Sequence, residues 1–190
     1  MKVCITGGIA SGKSLLSHYL NDLGVATVDA DDIVHELIPQ EERERLRSIV
    51  FKNPEARKEL EARIHPLVRQ KILSAIEGAE GQESEVKGDC PHSPYPLPPI
   101  AVIPLLFEVQ WEKDYDIIIC ILSSREKQIE RMMSLRGYTR EEAEARLAAQ
   151  MDPAIKAAKS DYVILNDSTD EDLKAEARKL VDYLVSRSQA

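Results

Sequence analysis

The sequence predicts a three-layer α/β domain. Five short apolar runs, KVCIT (2–6), VATV (25–28), IAVI (100–103), DIIICIL (116–122) and YVIL (162–165), alternate with longer segments of helical periodicity. The runs lack the polar alternation of a sheet with one wet face. They suit a mostly parallel sheet covered by helices on both sides. A length of 190 residues accommodates one such domain with a small helical insertion.

Taken in order, the first run leads into GGIASGKS (7–14), after which Leu15, Leu16, Tyr19, Leu20 and Leu23 recur at helical spacing. Gly24 stands where a glycine would stop that helix. The second run delivers the chain into DADD (29–32), and a long, charged, helical stretch follows. Asn53 and Pro54 form an N-cap with proline at the first helical position. An apolar stripe then runs from Leu60 through Ile64, Leu67, Val68, Ile72 and Leu73 to Ile76, and Pro66 is expected to kink that helix or split it after His65. Residues 77–99 carry three glycines, five prolines and no apolar face, which marks a linker or exposed loop. Ser124 is placed to cap a helix ending at Gly137. Thr139 and Glu142 have capping-box spacing for a second helix through Gln150, and residues 170–187 form a final amphipathic helix.

The segment Gly7 to Ser14 satisfies G-x-x-x-x-G-K-[ST] between a predicted strand and a predicted helix, the context this motif requires. Successive backbone N–H groups in such a loop form an anion-binding concavity, and the helix start adds the positive end of its dipole. Gly8, Ala10, Ser11, Gly12, Lys13 and Ser14 are therefore the expected phosphate-binding residues. Lys13 would reach the terminal phosphates and the Ser14 hydroxyl would ligate Mg²⁺. The guanine signature N-K-x-D is absent. Asp29, Asp31 and Asp32 follow a strand expected to lie parallel to the first, so they fall at the carboxyl end of the sheet, facing the loop. A carboxylate there can take the proton of an acceptor hydroxyl or help hold Mg²⁺ through water. Helix capping is the competing reading and stays open for Asp29 and Asp32.

A formal charge of −8 argues against nucleic acid as a partner, and no apolar run approaches a membrane span. Cys4, Cys90 and Cys120 are odd in number and far apart, as free thiols of a cytoplasmic protein would be. Cys90 and His92 lack a second pair at ligand spacing, so no zinc site is expected.

Taken together, TGGIASGKS (6–14), VDADDIVHEL (28–37), FKNPEARKELEARIHPLVR (51–69), PLLFE (104–108), QIERMMSLRGYTREEAEARLAAQ (128–150) and SDYVILND (160–167) resemble the dephospho-CoA kinase family. The resemblance implies a P-loop NTPase fold with a parallel five-stranded sheet. Its core would comprise 1–32, 100–122 and 160–190, with a helical substrate-binding region at 33–76, an insertion at 77–99 and a helical lid at 124–152. It implies transfer of the ATP γ-phosphoryl group, with Mg²⁺, to the ribose 3′-hydroxyl of dephospho-CoA. Gly8, Ala10, Ser11, Gly12, Lys13, Ser14 and Leu15 would bind ATP, and Asp31 would be the general base. His65, Arg69, Leu105, Leu106 and Glu108 would join Asp31 at the acceptor, and Asn166 would contact adenine. Of the lid arginines Arg131, Arg136, Arg140 and Arg146, Arg136 and Arg140 are expected to meet phosphate and stabilise developing charge.

The sequence departs from the family pattern at Ala10, tolerable if its φ is negative, and at Leu15, where threonine is usual. The stretch between Leu37 and Phe51 is short by about 20 residues relative to the family pattern, and 78–99 reads as an insertion. A kinase for another nucleoside or sugar alcohol and a non-catalytic ATP-binding protein are the alternative readings. The partners expected are small molecules, with neither nucleic acid nor membrane, and the protein is expected to be a monomer.

Overall fold

The computed structural model describes residues 1–42, 46, 53–78, 95 and 97–189. Strands β1 (Val3–Gly7), β2 (Thr27–Asp29), β3 (Ile100–Val102), β4 (Ile117–Leu122) and β5 (Tyr162–Leu165) form one sheet in the order β2-β3-β1-β4-β5. Every pairing is parallel, with Cys4 opposite both Ala101 and Ile118. All five apolar runs are therefore strands, and their carboxyl ends share one edge of the molecule.

Continuous burial along β1 follows from covering both faces. Val3, Ile5, Val102, Ile119 and Ile121 point to one side. There they pack with Leu16 and Leu20 of helix α1 (Lys13–Asp22) and with Leu173, Ala177, Leu180 and Leu184 of helix α7 (Asp170–Ser188). The alternate residues Cys4, Ala101, Ile103 and Ile118 face the other side, against Ile33 of helix α2 (Ala30–Leu37) and Val68, Ile72 and Ile76 of helix α3 (Pro54–Gly78). The period of two along each strand thus serves two cores rather than one core and solvent.

Asn53 caps α3 as expected, its Oδ1 accepting the N–H groups of Glu55 and Ala56 at 3.0 and 3.2 Å. The expected division after His65 does not occur, because α3 runs unbroken through Pro66. Val68, Ile72 and Ile76 bury one stripe after this loss and Ile64, half-buried, packs on the same core before it, so tertiary packing holds the helix across the missing N–H. Helix α4 (Arg125–Arg136) ends at Gly137, and helix α5 (Arg140–Ala148) opens on the full capping box of Thr139 and Glu142. Ser124 occupies the N-cap of α4, but its side chain makes no capping bond, and its N–H donates to Asp167 Oδ1 at 2.7 Å. Helix α6 (Pro153–Ala158) was not expected, although Asp152 and Pro153 repeat the signature seen at Asn53 and Pro54. Most of the shortened stretch and of the 78–99 insertion, with Cys90 and His92, lies outside the described residues.

Candidate functional site

The loop between β1 and α1 is held from behind by side chains that engage its carbonyls one after another. Lys13 Nζ donates to the carbonyls of Gly7 and Gly8 at 2.9 and 2.8 Å. Gln128 Nε2 donates to that of Ile9 at 2.6 Å, Arg131 Nη1 to that of Ala10 at 3.2 Å, and Asn166 Nδ2 to that of Ser11 at 2.8 Å. With the carbonyls committed to side-chain donors, what the loop backbone has left to offer a ligand is N–H groups, which suit an anion. Two amides are spoken for: the Ile9 N–H donates to Gln150 Oε1 at 2.8 Å, and the Ser11 N–H to the Gly8 carbonyl at 3.3 Å. Ile9 is thus gripped from both ends of the α4–α5 pair, since Gln128 lies in the first turn of α4 and Gln150 just beyond α5.

These contacts explain residue identities in the loop. A Cβ on Gly12, whose φ is +108°, would sit 2.1 Å from Asn166 Nδ2, so no side chain fits there. Ala10 adopts φ +56°, contrary to the negative value that would make alanine comfortable. Its carbonyl bond to Arg131 and the packing of Ile9 and Ala10 against Ile129 and Met132 hold it in the left-handed region.

Lys13 lies near Asp31 and Asp29, whose carboxylates favour its ammonium form, and near Lys156 and Arg136, which oppose it. Burial is the largest influence, and the net result is a Lys13 pKa of about 8. Asp29 is the N-cap of α2, accepting the Asp31 N–H at 2.8 Å, and burial raises its carboxyl above the usual range. The helix thereby presents Asp31, exposed, in its first turn. Ser14 is exposed in the first turn of α1, while Leu15 is half-buried against the core, where threonine's hydroxyl would gain nothing. A Mg²⁺ ion prefers oxygen donors and retains several waters. The Ser14 hydroxyl with the Asp29 and Asp31 carboxylates is a donor set of that kind.

Other residues expected here have different surroundings. Leu106 is fully buried in the core against α3, so it cannot touch an acceptor, whereas Leu105 is 37% exposed beside it. Arg69 makes a two-pronged ion pair with Asp114, Nε–Oδ2 2.6 Å and Nη2–Oδ1 2.5 Å, and His65 packs edge-on against Trp111 with 5.8 Å between ring centres. Both hold α3 to the segment after β3. Glu108 is tied to Lys156 at 2.8 Å and accepts the Met151 N–H at 3.1 Å. Asn166, expected at adenine, is 5% exposed and braces the loop with its amide N–H. Arg140, expected at phosphate, is ion-paired with Glu126 and with Glu144, the latter at 3.3 Å. Arg146 stacks on Tyr138 with its guanidinium carbon 4.3 Å from the ring centre. Among the arginines of α4 and α5, Arg136 is one whose charge opposes the ammonium form of Lys13.

Gln128, Gln150 and Lys156 escaped the sequence reading. Glutamines inside charged helices carry no local signal, and a lysine in a short helix reads as solvated. The cap preceding α6 was the one available cue.

The family model for dephospho-CoA kinase matches residues 1–43 and 39–172, two pieces that meet inside the stretch read as shortened. The chain is 36% identical over 194 residues to the dephospho-CoA kinase of Geobacter sulfurreducens, covering 90% of this chain and 91% of that one. The structure of the dephospho-CoA kinase from Campylobacter jejuni superposes with a TM-score of 0.70 at 27% identity, covering 99% of this chain and all of that one. A shikimate kinase from Acinetobacter baumannii, 14% identical with a TM-score of 0.60 and coverages of 98% and 93%, shares the fold. With the phosphate loop, the strand-end carboxylates and the arginine-bearing helix pair set on this sheet, the chain belongs to the dephospho-CoA kinase family.

Proposed function

We propose that the protein transfers the γ-phosphoryl group of ATP to the ribose 3′-hydroxyl of dephospho-CoA, giving coenzyme A and ADP. The observation that carries this reading is the placement of Asp31, exposed in the first turn of α2, at the same carboxyl edge of the parallel sheet as the loop that holds Lys13. That placement puts a proton acceptor on the side of the sheet where the phosphate-holding cation lies. In the transfer, the acceptor oxygen bonds to the γ-phosphorus while the bond from that phosphorus to the β–γ bridging oxygen breaks. The hydroxyl proton passes to Asp31, and ADP leaves with the bridging oxygen.

Lys13 and the loop amides hold the phosphates, and Ser14 with the nearby carboxylates holds Mg²⁺, which when bound offsets charge on the phosphate oxygens. We read α4–α5 as a lid, with core, helical region and insertion divided as expected above, and with Arg136 as the arginine that meets the transferring group. Leu105, exposed on the turn after β3, is the acceptor-side contact of that turn. We read the protein as acting as a monomer. The buried free thiols Cys4 and Cys120 support a reducing, cytoplasmic setting, and no described helix is long and apolar enough to cross a membrane.

The test is to incubate the protein with Mg·ATP, with and without dephospho-CoA, and follow ADP and coenzyme A by mass-resolved chromatography. Equal amounts of the two products, with little ADP when the acceptor is absent, are expected. ADP formed without coenzyme A would redirect the reading to another acceptor.

A further inference from the structure

Lys156 is fully buried, an unusual place for an ammonium group. Its Nζ donates to the Pro104 carbonyl at 2.9 Å and pairs with both Glu108 oxygens at 2.8 and 3.1 Å. Pro104 and Glu108 bracket Leu105 within the turn that follows β3. The Pro104 carbonyl also accepts Thr6 Oγ1 from β1 at 3.4 Å, one residue before the phosphate loop. Glu108 Oε1 accepts the N–H of Met151, the neighbour of the Gln150 that holds Ile9. Lys159, the C-cap residue of α6, lies 5.5 Å from the centre of the Phe107 ring in the same turn.

A buried ion pair contributes little net stability compared with apolar residues of the same volume, so stability alone is a weak reason for a lysine here. What the lysine does is join three segments that otherwise touch the reactants separately: the acceptor-side turn, the return of the lid and the strand that feeds the phosphate loop.

We infer that Lys156 is a positioning residue for phosphoryl transfer, acting through Glu108 and the Pro104 carbonyl to fix the acceptor-side turn relative to the phosphate loop. The inference rests on the kinase reading above. The reacting oxygen must lie about 3–3.5 Å from the γ-phosphorus, and a misplacement near 1 Å costs about a hundredfold in rate. A loosened turn should therefore lower kcat while leaving nucleotide affinity in place.

The test compares wild type, Lys156→Met, Glu108→Gln and the double variant in steady-state kinetics with ATP and dephospho-CoA, alongside thermal unfolding. Lys156→Met is expected to lower kcat by at least about tenfold with KM for ATP within about twofold. The double variant is expected to be no slower than the worse single variant, because the two residues act as one unit. The double variant leaves no charge unpaired and carries the test if Lys156→Met fails to fold. A folded double variant with wild-type kcat, whatever its melting temperature, would overturn the inference and leave Lys156 a packing residue. Wild type that makes no coenzyme A in the same assay would instead overturn the kinase reading.

Discussion

Lys13 and its neighbours decide how the empty site behaves with pH. With a pKa of about 8, Lys13 is cationic at neutral pH and loses its proton well below the range of a free lysine. Phosphate favours the cationic form, so the dissociation constant for ATP is expected to rise through pH 8, approaching tenfold per unit beyond it. Isothermal titration across pH 7–9.5 checks this. The sign for folding is opposite. The unfolded chain keeps this proton up to about 10.5, so between about 8 and 10.5 this group makes the empty protein more stable as pH rises. Ala10 offers a second test. Its left-handed backbone costs an alanine about 1 kcal/mol that glycine avoids, so Ala10→Gly is expected to stabilise the fold by up to that amount, read from denaturant unfolding. The arginines divide as well. Arg136→Ala is expected to lower kcat by about 100-fold, as removing a group that meets transition-state charge does, whereas Arg140→Ala, already committed to Glu126 and Glu144, should change kcat by less than about threefold.

The element that most repays inspection is the helix pair α4–α5 with its return into α6. Its ends hold the Ile9 peptide through Gln128 and Gln150. Gln150→Leu frees the Ile9 N–H, and amide hydrogen exchange there is expected to quicken by up to about tenfold, the equivalent of one net hydrogen bond. At this scale the sequence was easy to read where a rule is local. The capping box at Thr139, the Asn53–Pro54 start and the stop at Gly137 depend on neighbours in the chain. It was hard to read where partners come from afar. Gln128, Arg131 and Asn166 meet carbonyls more than 100 residues away, and nothing in their own surroundings announces that. The same distance explains why Leu106 looked like a contact residue. The PLLFE block marks the right turn, but only the third dimension separates its exposed Leu105 from its buried neighbour. Of the two outcomes expected at Pro66, the split after His65 fails because tertiary packing of Ile64, Val68, Ile72 and Ile76 outweighs one lost hydrogen bond.

For the molecule as a whole, the two-sided core makes the sheet's thiols reporters of unfolding. Cys4 and Cys120 are fully buried, and burial raises both thiols, that of Cys120 to about 11. In the native protein at pH 7, iodoacetamide is expected to leave both unmodified, and peptide mapping should find them labelled only as denaturant opens the fold. The row of occupied carbonyls behind the phosphate loop has a thermodynamic consequence. A loop already fixed in shape has little freedom left to surrender when a polyphosphate arrives, so most of the ordering cost is met during folding rather than at binding. Nucleotide capture then draws on an enthalpy that little rearrangement consumes, and cutting the Gln128, Arg131 or Asn166 tether should appear first as a more unfavourable binding entropy.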